Sequence, residues 1–172
     1  MRGYFAIGAE GISKPMNLGA IMRTAHAFGS SFVFSVNAAD KIRKVYHADT
    51  SKSFEHVPYY QWDTIGDMAL PKGCALVGVE LTDDAIELPS FRHPTTAAYV
   101  LGRERGSLSE DMIEKCAFTV KIPTKFCVNV SIAAAMVMYD RMISMGRYAE
   151  RPVKPGGAMT ARELHKIRQS QS

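Results

Sequence analysis

Pro15-Met16-Asn17-Leu18-Gly19-Ala20-Ile21-Met22-Arg23-Thr24-Ala25-His26-Ala27-Phe28-Gly29 lies between two short apolar runs, Tyr4–Gly8 and Phe32–Val36. Leu18, Ile21, Met22, Ala25 and Phe28 recur at the spacing of one helical face. The stretch therefore predicts an amphipathic helix, with Asn17 as its N-cap and Gly29 as its terminator. The flanking runs are rich in β-branched and aromatic residues and are of strand length. Working outward, the same apolar signature returns at Cys74–Glu80, Ala97–Leu101 and Phe118–Ile122. Further helices are expected at Ala39–Ser51, Gln61–Leu70, Ser109–Cys116 and Val130–Met145. Alternating strands and helices of this kind build an α/β domain around a largely parallel sheet.

With 172 residues, 47% of them hydrophobic and 22% charged, the chain has the composition of one globular domain. No apolar run approaches the roughly 20 residues that span a bilayer. Met1-Arg2-Gly3-Tyr4 leads straight into a strand pattern instead of a signal peptide, so a cytoplasmic protein is expected. Cys74, Cys116 and Cys127 are odd in number and widely spaced, the mark of reduced thiols and not of a disulfide framework or a CxxC metal site. His47, Asp49 and His56 match no standard ligand pattern, and no metal is expected.

The net charge of +4 is unevenly placed. Residues 1–146 hold 15 Lys and Arg against 15 Asp and Glu, whereas residues 147–172 hold six against two. Arg151-Pro152-Val153-Lys154-Pro155-Gly156-Gly157 reads as a linker, and a weak helical pattern follows in Thr160–Arg168. The chain thus divides into a domain over 1–147 and a basic tail over 148–172. That tail suits a nucleic-acid-binding arm or a solvated extension. The Val130–Met145 helix is apolar on nearly every side, so its burial needs cover that a second subunit would supply.

Three loops follow strand-like segments, where open α/β sheets place their ligands. The first, Lys14 to Gly19, leads into the helix that carries Arg23. Asn17 and Arg23 are six residues apart, close enough for one phosphate-ribose unit to span. The second, Leu101-Gly102-Arg103-Glu104-Arg105-Gly106-Ser107-Leu108-Ser109-Glu110, has neither the Gly-x-Gly-x-x-Gly of a dinucleotide site nor the ending of a P-loop. Its Gly102 and Gly106 suit a sharp turn or a close approach to a ligand, and Ser109 can start a helix. The third runs Ile122-Pro123-Thr124-Lys125-Phe126-Cys127-Val128-Asn129-Val130-Ser131, with Asn129 or Ser131 able to cap the apolar helix. Cys127 has no histidine near it in sequence to make it a nucleophile.

Taken together, the three loops resemble the three motifs of the SpoU/TrmH family of RNA ribose methyltransferases, within the SPOUT superfamily. The first motif appears as Pro15, Asn17, Gly19 and Arg23-Thr24-Ala25 through Phe28-Gly29, and the second as Leu101-Gly102, Glu104 and Gly106. The third appears as Ile122-Pro123 followed by Asn129-Val130-Ser131 and Ala133-Ala134-Ala135. The likeness covers about residues 3–145 and leaves the basic tail outside it.

This resemblance implies a SPOUT-like fold with a C-terminal trefoil knot, a homodimer, and S-adenosyl-L-methionine as the methyl donor. It implies donor contacts from Val79, Gly102, Ile122, Cys127, Asn129 and Val130. It implies an RNA substrate, tRNA slightly ahead of rRNA, methylated on a ribose 2′-hydroxyl. Arg23 is then the central catalytic residue. A guanidinium is a fixed cation, so it is expected to bind the phosphate beside the target ribose and to stabilise charge on the attacking oxygen. Asn17 would hold the ribose or the arginine, and Glu104 would orient Arg23 or a neighbouring donor. Cys127 stands where the family commonly has serine, so only a backbone contact there survives the change. With no separate N-terminal RNA-binding domain expected, recognition would rest on the catalytic dimer and its short extensions. The alternative reading is a non-catalytic RNA-binding or assembly protein that retains the fold.

Overall fold

The computed structural model describes residues 3–40, 42, 53–104, 106–153, 155–160, 163 and 169–170. Seven strands form one sheet: β1 (Phe5–Glu10), β2 (Phe32–Val36), β3 (Tyr59–Trp62), β4 (Ala75–Val79), β5 (Ile86–Glu87), β6 (Ala97–Leu101) and β7 (Phe118–Lys121). Their spatial order is β3-β2-β1-β6-β4-β7-β5, and each of the six pairings is parallel. The expected parallel α/β sheet is therefore present. β6 is inserted between β1 and β4, pairing Ile7 with Tyr99 on one side and Val77 with Tyr99 on the other.

Side chains alternate across the strands, so neighbouring residues feed different layers. Ile7, Val33, Val77, Tyr99 and Val120 pack with Leu18, Ile21, Met22, Ala134 and Val137. These belong to α1 (Pro15–Phe28) and to the long C-terminal helix, which cover that face. On the opposite face Ala6, Phe34, Leu76, Ala98 and Val100 pack with Leu108 and Met112, supported by Trp62, Ile65 and Met68.

α1 buries the predicted stripe and ends at Gly29, whose φ of 71° places it in the left-handed region that suits glycine. Its start differs from expectation. Lys14 occupies the N-cap position and Pro15 the first turn, where proline lacks only an N–H that would have no helical partner. Asn17 lies inside the helix, its side chain committed elsewhere. The four-residue α2 (Ser53–His56) precedes β3. The helix expected at Gln61–Leu70 is absent: Tyr59, Tyr60 and Trp62 favour an edge strand, and Thr64 and Asp67 then close a turn through mutual hydrogen bonds of 2.7–3.3 Å. The expected helix at Ala39–Ser51 lies mostly outside the described residues, as does most of the pattern at Thr160–Arg168.

α3 (Glu110–Lys115) is capped by Ser109, whose hydroxyl accepts from the Met112 N–H. α4 (Val130–Met145) is capped by Asn129. It is not buried all round in the single chain. Val130, Ala133, Ala134, Val137 and Met138 face the core, while Ile132, Met136, Tyr139 and Met145 stay exposed on the other side. Arg141 is unexpectedly buried. It donates to the carbonyls of Pro94 and Thr95 and to the Tyr99 hydroxyl, at 2.7, 2.8 and 3.1 Å. The same hydroxyl lies 2.6 Å from Nδ1 of His93, whose Nε2 is 2.8 Å from Asp140. Cys74, Cys116 and Cys127 are free.

Candidate functional site

The C-terminal ends of β4, β6 and β7 and the start of α4 enclose a cavity of about 350 Å³. That is within the roughly 300–1,000 Å³ of small-molecule sites. Its walls include Val79, Leu101, Ile122, Val130 and Ala133, with further residues of the loops that follow β6 and β7. Of the residues expected to hold a methyl donor, Val79, Gly102, Ile122, Cys127 and Val130 line it. Asn129 is not among the lining residues. Gly102 leaves little room for a side chain: a Cβ there would sit 3.0–3.3 Å from backbone atoms of Gly106, Ser107 and Leu108.

Carboxylates at the strand ends fasten the second loop. Glu10 ends β1 and accepts from the Ser109 N–H at 2.9 Å and from its hydroxyl at 2.6 Å. Glu80, just past β4, accepts from the Leu108 N–H at 2.7 Å. Neither carboxylate was singled out from the sequence. The available signal was a charged residue closing an apolar strand run at the edge where such sheets bind ligands.

Glu104 works in the other direction and ties the second loop to the first. Its carboxylate accepts from the backbone N–H of Lys14 at 2.8 Å, from the N–H and hydroxyl of Ser13 at 3.1 and 3.0 Å, and from Nδ2 of Asn17 at 3.1 Å. Partial burial alone would raise its pKa. The hydrogen bonds from its own backbone, Lys14, Asn17 and Ser13 outweigh burial and hold it below the usual value, so the anion is the favoured form.

Asn17 is 7% exposed and continues the connection. Its Oδ1 accepts from Nδ2 of Asn129 at 3.2 Å, and Asn129 Oδ1 accepts from the N–H and hydroxyl of Ser131 at 2.8 and 2.6 Å. One chain of hydrogen bonds thus runs Ser131, Asn129, Asn17, Glu104 and joins all three loops. Glu104 contacts Asn17 and not Arg23, and Asn17 has both ends of its amide occupied by protein. Six residues along a helix is about 600° of rotation, so Asn17 and Arg23 face different directions. Arg23 is exposed and makes no hydrogen bond or ion pair among the described residues. It remains available for an anion from outside.

A family model described as the SpoU rRNA Methylase family matches residues 4–139, most of the chain. The chain belongs to this family. Among SpoU relatives, it is 30% identical over 142 residues to a putative TrmH family tRNA/rRNA methyltransferase of Staphylococcus aureus, covering 76% of this chain and 55% of that protein. It is 27% identical over 138 residues to the tRNA (guanosine(18)-2′-O)-methyltransferase of Escherichia coli, covering 76% of this chain and 59% of that one. It therefore spans a little over half the length of these relatives. In fold it resembles the SpoU methyltransferase AviRb from Streptomyces viridochromogenes, crystallised with AdoMet: the TM-score is 0.72 at 22% identity, over 86% of this chain and 60% of the other.

Proposed function

We propose that this SpoU-family chain is an RNA 2′-O-ribose methyltransferase that uses S-adenosyl-L-methionine, acts in the cytoplasm as a homodimer, and favours tRNA slightly over rRNA. The observation that carries the reading is the continuous link from Ser131 through Asn129 and Asn17 to Glu104, which holds two cavity-forming loops against the helix of Arg23. The cavity fits the donor: apolar walls suit an adenine ring, and the bare Gly102 backbone permits close approach. Val79, Gly102, Ile122, Cys127 and Val130 are its proposed contacts. When bound, S-adenosyl-L-methionine supplies an electrophilic methyl group on a sulfonium.

The protein's share of the chemistry is alignment and charge. Arg23 binds a phosphate next to the target ribose and stabilises the negative charge that develops on the 2′-oxygen as its proton passes to solvent water. Asn17, Glu104 and Asn129 act as positioning residues that fix the first turn of Arg23's helix relative to the cavity. The C-terminal trefoil knot belongs to this proposal, supported by the insertion of β6 between β1 and β4 and by the packing of α4 on α1. The homodimer is supported by the apolar outer face of α4, where Ile132 is 51% and Tyr139 49% exposed. Light scattering should give twice the chain mass, and a concentration-independent monomer would remove this part.

Incubation with methyl-labelled donor and either bulk tRNA or rRNA, followed by mapping of alkali-resistant linkages, tests the reaction. New 2′-O-methyl positions support it. RNA binding without transfer favours the non-catalytic alternative, and label on a base contradicts ribose as the acceptor.

A further inference from the structure

Phe126 is 75% exposed in the loop between β7 and α4. It does not line the cavity, yet its neighbours Thr124, Cys127 and Val128 do. The backbone around it is braced, with the Thr124 hydroxyl donating to the Phe126 carbonyl at 2.9 Å and the Thr124 N–H donating to the Ile122 carbonyl at 2.7 Å. An aromatic ring is thus held in water beside the cavity, in a loop and not on the apolar faces of α1 or α4.

Its surroundings are cationic. Lys125 precedes it and is exposed, and Asn129, three residues on, is bonded to Asn17 at the start of the helix led by exposed Lys14. Arg103, also exposed, lines the same cavity. The two carboxylates that line this cavity are already engaged by protein donors, Glu104 by Ser13, Lys14 and Asn17, and Glu80 by Leu108. An exposed ring among uncompensated cations matches an unpaired nucleotide, whose base presents an apolar face and whose phosphate presents an anion.

We propose that Phe126 stacks on an unpaired base of the RNA adjoining the methylated ribose, with Lys125 on a neighbouring phosphate. The assignment deepens the reading above and rests on it. Stacking accepts any base, so Phe126 selects for a nucleotide flipped or looped out of a duplex and not for a particular base letter.

The test uses the full chain with bulk tRNA and with rRNA as probes, measuring affinity at several salt concentrations. Phe126→Ala should weaken binding on the order of tenfold at every salt concentration with an unchanged salt slope. Lys125→Ala should instead lower that slope by about one phosphate contact. Phe126→Trp should retain binding, and its added indole emission should be quenched by RNA beyond any change in wild type. Donor affinity by calorimetry should be the same in Phe126→Ala and wild type.

Unchanged RNA affinity in Phe126→Ala, with wild type binding and methylating normally, overturns the stacking role alone. Loss of dimer mass in that variant makes the ring a subunit contact, and loss of donor affinity makes it part of the cavity wall; either result also overturns it. Failure of wild type to bind or methylate either RNA removes the functional reading itself, and the stacking role with it.

Discussion

Replacing Glu104 by glutamine keeps the shape of the side chain and removes its charge. The carboxylate now accepts from Ser13, Lys14 and Asn17 at 2.8–3.1 Å. A glutamine retains one acceptor oxygen, so Lys14 and Asn17 keep neutral hydrogen bonds, while its NH₂ faces Ser13, whose hydroxyl must turn to accept and whose N–H keeps only its longer 3.3 Å contact to the remaining oxygen. Hydrogen bonds to a charged group contribute about 1.5–3 kcal/mol and neutral ones about 0.5–1.5 kcal/mol, a loss of roughly 1 kcal/mol per bond. Four affected bonds, discounted by about half for partial exposure, give a cost of about 2 kcal/mol. For a chain of this size the Tm should fall by about 4–8 °C.

The pH dependence fixes the cause. Because Glu104's folded pKa is depressed, its contribution is fully present above the unfolded value and is lost as pH falls through the lower folded value. Melts followed by circular dichroism should show a constant gap between wild type and Glu104→Gln above about pH 5, narrowing in stronger acid. A variant that melts with wild type at neutral pH, or a gap that widens in acid, refutes the argument.

Arg23→Ala should abolish methyl transfer while leaving calorimetric donor affinity nearly intact; equal loss of both would contradict its assignment to the RNA. Burial holds the His93 imidazole below its ordinary value although Asp140 pulls the other way, so the unfolded chain takes up a proton that the folded chain resists. Stability should therefore fall as pH drops through about 6.5, and His93→Gln should flatten that part of the Tm profile. Ending the chain at Ala149 removes most of the basic tail, and should weaken RNA binding and reduce its salt dependence; unchanged affinity and slope would leave the tail without an RNA role.

Much of the sheet was legible because its inner strands are buried on both faces and read as continuous apolar runs. β3 and β5 escaped for the opposite reason. Tyr59–Trp62 is a half-exposed edge strand of four residues, and Ile86–Glu87 is two exposed residues long. Neither leaves a periodic trace. Asn17, Glu104 and Asn129 were recognisable as site residues, but not as one another's partners, because 87 residues separate Asn17 from Glu104 and 112 separate it from Asn129. Asn17's residue type suits a cap, and tertiary hydrogen bonds overrode that local preference. Arg141, a cation in an apolar helix that the sequence analysis did not single out, found buried carbonyls that sequence spacing could not anticipate.

The central position of β6 also sets an order of assembly. β1, β2 and β3 can associate once about the first third of the chain is made, but one side of β1 stays open until Ala97–Leu101 arrives, and β4 has no central neighbour before then. Neither half is a complete folding unit, so a nascent chain must expose apolar edges throughout that interval. Folding should be slow and strongly cooperative, governed by closure of the Phe5–Ala97 pairing and not by the helices that form locally.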